Sequence, residues 1–231
     1  MPFNVGVVIV CAGKGRRLGR KTDKAFVRLK GKPLLCHTCR IFEDIKKIKE
    51  IIIVLRENNF ALARRLIKNK RVKLVRGGEE RKDSVYNGLK ALSKNINYVL
   101  IHDGARPFAK KRIILEMLRA LGKYPAVICG IKPKDTVKLL GKNYTQKTLN
   151  RQDLFLVQTP QGFKKDLILK GYTKLRAKNV FDDAQVLEFL GIKAKIIEGD
   201  IFNIKITYPE DLLLAKTILQ TRIRSRIAHS A

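Results

Sequence analysis

Three glycine-bearing loops gather the residue types that handle phosphate. Residues 12–19 read Ala-Gly-Lys-Gly-Arg-Arg-Leu-Gly, and Lys24 follows shortly after. Glycines at a strand end let the backbone approach a ligand, and their N–H groups can cradle phosphate oxygens. Gly13, Gly15 and Gly19 miss the G-x-G-x-x-G spacing, and no Gly-Lys-Ser/Thr closes the loop. Both the dinucleotide fingerprint and the P-loop are therefore excluded. A Gly-x-Gly-x-Arg loop with a second cation remains; its bland reading is a tight surface turn with solvated Arg17 and Lys24. The second loop, Gly77-Gly78-Glu79-Glu80-Arg81-Lys82-Asp83-Ser84, leads into a helix, placing Ser84 beside N–H groups that a helix start leaves unpaired. The third, Asp103-Gly104-Ala105-Arg106-Pro107, supplies a carboxylate. Asp103 is a candidate for Mg²⁺, which takes carboxylate and phosphate oxygens; a simple pair with Arg106 is the structural alternative.

The elements between these loops explain how they could meet. Near-continuous apolar runs at 5–11, 50–55, 72–75, 98–102 and 126–130 predict buried strands. Helical patterns fall at 33–43, 58–69, 82–92 and 110–121. Such alternation predicts an α/β fold with a mostly parallel sheet and helices on both faces. All three loops then lie at the carboxyl ends of strands, where open α/β sheets bind ligands. The rhythm breaks after Gly130: strands at 136–140 and 146–149 flank a turn at 141–144, predicting a protruding β-hairpin arm spanning about 133–158. Such a ribbon is marginal alone and is expected to pack on something, with a second subunit as the expected partner. Helices resume at 164–176 and 182–190, the latter with Asp182 as N-cap and Gly191 at C′. A strand at 194–198, a short run at 203–206 and a capping box at 207–210 lead into the last helix, with a polar, frayed tail from 221. One domain over 1–231, with the arm inserted, is the expected organisation.

Composition narrows the function classes. Of 231 residues, 50 are Lys or Arg and 20 are Asp or Glu, a formal charge of +30. That field attracts anions and could bind nucleic acid nonspecifically. The basic residues are spread along the chain without interleaved aromatics, however, and Trp is absent. A stacking groove for nucleic acid is thus disfavoured. No apolar run approaches the roughly 20 residues of a membrane span, and the start lacks the pattern of a secretion signal, so a cytoplasmic protein is expected. Cys11, Cys36, Cys39 and Cys129 do not make a disulfide framework. Cys36-His37-Thr38-Cys39 matches a CxxC spacing, but no second ligand pair follows, and two reduced cysteines on one helix face are expected.

Taken together, the motifs resemble the 2-C-methyl-D-erythritol 4-phosphate cytidylyltransferase family from about Val5 to Lys216. Its landmarks are Ala12-Gly13-x-Gly15-x-Arg17, Lys24, Gly77-Gly78 with Arg81 and Asp83-Ser84, and His102-Asp103-x-Ala105-Arg106-Pro107. Further along come Lys134-Asp135-Thr136, Arg151, Thr159-Pro160-Gln161 and Asn203-Ile204-Lys205. The resemblance implies a Rossmann-like nucleotidyltransferase fold, CTP as co-substrate, Mg²⁺ and a homodimer joined by the arm. It implies that Arg17 and Lys24 hold the CTP phosphates and stabilise the transition state. Ala12, Gly13, Gly15, Gly78, Ser84 and Ala105 would bind the nucleotide. Arg106, Thr136, Arg151 and Lys205 would hold the sugar phosphate, with Thr136 and Arg151 reaching the neighbouring subunit's site; Arg151 and Lys205 also count as catalytic.

The implied chemistry is consistent with the residues. A phosphate monoester attacking the α-phosphorus of CTP brings two anions together, so fixed cations must cancel the repulsion. A phosphate dianion needs no general base, which suits a chain with three histidines, of which only His102 lies near the site. Four positions depart from the family pattern. Asp23 replaces a common Pro before Lys24, which should loosen that loop and sets a carboxylate beside a cation. Gly104 stands where Ala is common, Glu79 where Asp is common, and Phe181 where a hydroxyl residue binds the substrate phosphate. A ribitol 5-phosphate cytidylyltransferase is the nearest alternative; a nucleic-acid-binding basic protein is a more distant one.

Overall fold

The computed structural model describes residues 3–13, 15–19, 23–174 and 180–228. Strand β1 (Val5–Val10) is followed by a small antiparallel pair, β2 (Arg28–Leu29) and β3 (Lys32–Pro33), then α1 (Leu34–Glu43) and β4 (Ile48–Leu55). Next come α2 (Phe60–Leu66), β5 (Val72–Arg76), α3 (Arg81–Ala91), β6 (Tyr98–Asp103), α4 (Lys111–Leu121) and β7 (Ala126–Ile131). The hairpin strands β8 (Val137–Gly141) and β9 (Tyr144–Leu149) precede β10 (Leu156–Lys164) and α5 (Lys165–Lys174). The chain then forms α6 (Asp183–Glu188), β11 (Lys195–Glu198) and α7 (Pro209–Ala228).

Seven strands form one sheet in the order β11-β7-β10-β6-β1-β4-β5. β1 pairs in parallel with β4 and β6, β4 with β5, and β7 with β11; β10 alone runs against its neighbours. Because side chains alternate across a strand, each strand feeds two cores. Val5, Val7 and Ile9 of β1 meet Leu35 and Phe42 of α1 and Met117 and Leu121 of α4 on one face. Val8, with Ile52 of β4 and Ile101 of β6, meets Val85 and Leu89 of α3 and Ile168 of α5 on the other. Burial on both faces is why these strands read as unbroken apolar runs. A third cluster joins Leu18, Leu29 and Phe108 to Ile206, Leu212 and Ala215, fixing the start of α7 against the first loop.

The expected strands and helices therefore form, with shifts of a residue or two at most ends. Several expectations are corrected. The arm is shorter than 133–158: Leu156, Val157 and Gln158 belong to β10, paired with β7 in the central sheet. β10 is a strand beyond those expected, because Pro160 and the buried Gln158 and Gln161 disguise a central strand. The hairpin turn is tighter than 141–144, with only Lys142 and Asn143 between the strands. The helix expected over 58–69 is a single 3₁₀ turn (Glu57–Asn59) followed by the shorter α2. Residues 203–206 form no strand. The last helix is capped not by Glu210 but by Asp211, whose carboxylate accepts from the N–H groups of Thr207 and Tyr208 at 2.6 and 2.8 Å. The tail from 221 is helical to Ala228, and 229–231 lie outside the described residues, as do 175–176 at the end of the helix expected over 164–176. Asp182 does cap α6, accepting from the Gln185 N–H, and Gly191 takes φ +73° just beyond it.

Candidate active site

The carboxyl ends of β1, β5 and β6 open onto one cavity of about 380 Å³. Ala12, Gly13, Gly15 and Arg17 line it from the first loop, and Lys24 from the one-turn helix Lys24–Phe26. Gly78 comes from the second loop, Ser84 from the first turn of α3, Asp103 from the end of β6, Ala105 from the loop after it, and Lys205 from the segment before α7. Sequence reasoning thus assembled most of the wall. Cys11, Arg81 and Thr207 also line it and were not assigned to the site. In sequence, Arg81 is visible only as a motif residue and Thr207 only as part of a helix cap.

Local structure explains each placement. Gly15 has φ +65°, and a Cβ there would come within 2.8 Å of the Lys24 Cβ, so a glycine lets the two segments touch. Leu18, one residue past Arg17, is buried in the third cluster, and the Arg17 guanidinium sits 5.7 Å from the centroid of the Tyr208 ring. Ser84 is buried and its hydroxyl accepts from the Gly78 N–H at 3.1 Å, shaping the glycine loop. The start of α3 is closed by a capping box between Glu80 and Asp83. Lys205 is held by its neighbours: Ile206 N–H donates to the Ala105 carbonyl at 2.9 Å, and the buried Asn203 amide donates to the Thr159 carbonyl at 2.9 Å.

Asp103 is the electrostatic hub. One oxygen meets Arg81 Nε at 3.2 Å; the other meets Lys205 Nζ at 2.8 Å and Arg106 Nε at 3.8 Å. Burial alone would raise its pKa, but Arg81, Lys205 and Arg106 overcome this and hold it well below the usual carboxylate range. Arg81 reaches a second anchor, the fully buried Asp183, through two hydrogen bonds of 2.9 and 2.7 Å, and the Tyr172 hydroxyl donates to the same carboxylate at 2.6 Å. The site is thereby tied to α5 and α6. Lys24 has the opposite environment: burial, then Lys205 and Arg17 nearby, lower its pKa to about 8.

His102 holds the Asp103 loop and does not face the cavity. The Asp103 N–H donates to the Thr159 hydroxyl at 3.0 Å, which leaves that hydroxyl to donate to His102 Nδ1 at 3.1 Å. Nε2–H then donates to the Arg106 carbonyl at 2.9 Å, which fixes the tautomer. Burial lowers the His102 pKa to about 4, so the ring is neutral near pH 7.

The remaining assigned residues lie elsewhere. Arg106 does not line the cavity; its Nη1 donates to the Asn203 carbonyl at 2.8 Å, so it braces the Lys205 segment. Thr136 and Arg151 are exposed on the arm, and Arg151 donates to the Lys134 carbonyl at 2.8 Å. Phe181 is 93% exposed and turned to solvent. Asp23 corrects its expectation: its carboxylate pairs with Arg56 at 3.0 Å and with Asn59, so the loop is tethered there rather than loosened. Gly104 is explained by Cys11, since a Cβ at 104 would collide with the Cys11 sulfur. All four cysteines are free thiols, and burial pushes Cys11 up to about 12.

Among the described residues no three His, Cys, Asp or Glu side chains gather as a metal cage. Asp103, already facing three cations, fits a divalent ion held mainly by phosphate oxygens and does not fit a resident one. No helix among the described residues is long and apolar enough to cross a membrane.

Residues 5–221 match the family model described as 2-C-methyl-D-erythritol 4-phosphate cytidylyltransferase. A protein of that name from Clostridium botulinum is 46% identical over 221 residues, covering 93% of this chain and 96% of its own. One from Alkaliphilus oremlandii is 44% identical, covering 95% and 97%. The crystal structure of the 4-diphosphocytidyl-2C-methyl-D-erythritol synthase of Anaerococcus prevotii superposes with a TM-score of 0.85 at 36% identity, covering 94% and 96%. With this match over nearly the whole chain, the chain belongs to the 2-C-methyl-D-erythritol 4-phosphate cytidylyltransferase family.

Proposed function

We propose that this chain transfers the cytidylyl group of CTP to 2-C-methyl-D-erythritol 4-phosphate, releasing pyrophosphate and forming 4-diphosphocytidyl-2-C-methyl-D-erythritol. The carrying observation is the convergence of Lys24, Arg17 and Lys205 around a cavity whose walls are the glycine loops after β1 and β5. A substrate phosphate oxygen attacks the α-phosphorus, that P–O bond forms, and the α–β bridging bond breaks toward pyrophosphate. Lys24 and Arg17 hold the triphosphate and stabilise the charge that builds in the transition state. Ala12, Gly13, Gly15, Gly78, Ser84 and Ala105 shape the nucleoside pocket. Lys205, braced through Arg106, places the attacking phosphate. The neutral, fully bonded His102 transfers no proton, and a phosphate dianion asks for none.

Mg²⁺ would accompany the triphosphate, and Asp103 is the residue that would hold it. Bound, it would neutralise phosphate charge. Thr136 and Arg151 lie on the arm, outside the cavity lining of their own chain, and Leu140 and Tyr144 expose apolar surface there. These observations support a homodimer in which each arm completes the partner's substrate site. We assign one domain with an inserted arm, and a cytoplasmic location. Mass detection of the cytidylylated product from CTP, Mg²⁺ and methylerythritol phosphate tests the reaction; its absence from folded protein overturns it.

A further inference from the structure

The one-turn helix that presents Lys24 is held from two sides. Downstream, Ala25 and Phe26 are buried in the core beneath β1. Upstream, the Asp23 carboxylate turns away from Lys24 toward the end of β4, where it meets Arg56 Nη1 at 3.0 Å and the Asn59 side-chain amide. The Asp23 side chain is only 14% exposed, so this pair is partly shielded from solvent screening. The backbone adds to the case. Asp23 has φ −55°, within the range a proline ring would impose, with ψ 137°, and its carbonyl accepts from the Phe26 N–H at 2.9 Å. On its other side Lys24 rests against Gly15, so a small displacement of residue 23 moves the lysine relative to the first loop. The charges acting on the Lys24 ammonium are Lys205, Asp103, Arg17 and Asp211. Two of these are cations and two are carboxylates, so their pulls largely offset, and with burial opposing the charge the ammonium gains little from staying there without a tether.

We infer that Asp23 is a positioning residue for Lys24: its carboxylate, clamped by Arg56 and Asn59 at the end of β4, keeps the lysine over the phosphate site. The inference rests on the proposed role of Lys24 in holding CTP.

The test compares the wild type with Asp23→Ala, Arg56→Ala, the double variant, Asp23→Pro and Lys24→Ala. Steady-state kinetics with CTP across pH are combined with thermal melting. A misplaced cation should cost roughly tenfold in kcat for each single alanine variant, with KM for CTP moving less. The double variant should be no worse than the poorer single one, because the two residues act as a unit. Asp23→Pro should retain more activity than Asp23→Ala, since the ring restores the backbone restriction. In Asp23→Ala the basic limb of kcat/KM should move to higher pH as Lys24 leaves its buried surroundings. If Asp23→Ala keeps wild-type kinetics while Lys24→Ala is crippled, the inference is overturned and the reading of the site stands. If Asp23→Ala loses activity only through a lowered melting temperature, with the pH limb unmoved, Asp23 is merely structural and the inference also fails. If Lys24→Ala is itself near wild type, the site reading fails and takes the inference with it.

Discussion

Lys24 carries its charge in surroundings that oppose it. Burial and the nearby Lys205 and Arg17 lower its pKa to about 8. In free enzyme the protonated form dominates below that value and is lost above it. Because kcat/KM reports the free enzyme, its value for CTP should fall as pH rises through about 8. Lys24→Ala should lower kcat/KM by about 10²-fold or more and remove this limb, as steady-state assays would show. Asp103, held ionised by three cations, should contribute no acid limb. The charges of Arg17, Lys24 and Asp103 were legible because glycine loops at strand ends advertise phosphate chemistry. The double engagement of Arg81 was not, since Asp183 lies 102 positions away in sequence and the fold alone brings it there. Asp23 was misjudged for a related reason: its nearest charge in sequence is Lys24, yet its partners Arg56 and Asn59 come from another loop.

At the scale of elements, the sheet sets the spacing of the loops and tight contacts set their shape. Cys11, at the end of β1, occupies the space that an alanine methyl at 104 would need. Gly104→Ala alone should therefore destabilise the protein by about 1–3 kcal/mol through overpacking. Combining it with Cys11→Ala should recover most of that loss in chemical denaturation; a double variant no better than Gly104→Ala would refute the steric account. β1, β4 and β6 were readable as strands because burial on both faces leaves unbroken apolar runs. β10 was hidden for the opposite reason. Its buried polar residues hold other segments, with Gln158 donating to the Asp200 carbonyl at 2.9 Å and Gln161 to Asp182 at 2.8 Å. Such long-range pairings leave no periodic signal. The 3.6-residue pattern at 58–69 misled because the chain leaves the helix at Ile67, which is extended.

His102 links the stability of the whole molecule to pH. Unfolded, this side chain takes up a proton near pH 6.5; folded, burial delays that to about 4. The unfolded form thus binds more protons between these values, and stability falls as pH drops through the window, by at most about 3 kcal/mol. Urea unfolding at pH 7, 5.5 and 4.5 should show this slope, flattened in His102→Asn. The proposed dimer makes a separate prediction. Lys24→Ala and Arg151→Ala homodimers should each be nearly inactive, yet after subunit exchange a mixture should regain about a quarter of wild-type turnover, because half the dimers carry one intact site. No recovery would place Arg151 outside the partner's site. The substrate itself gives the most direct test. Pyrophosphate release should be followed with CTP and Mg²⁺, offering methylerythritol phosphate and ribitol 5-phosphate in parallel. Release confined to methylerythritol phosphate is the expected result. Release with ribitol phosphate alone, or none with either from folded protein that binds CTP, would contradict the assignment.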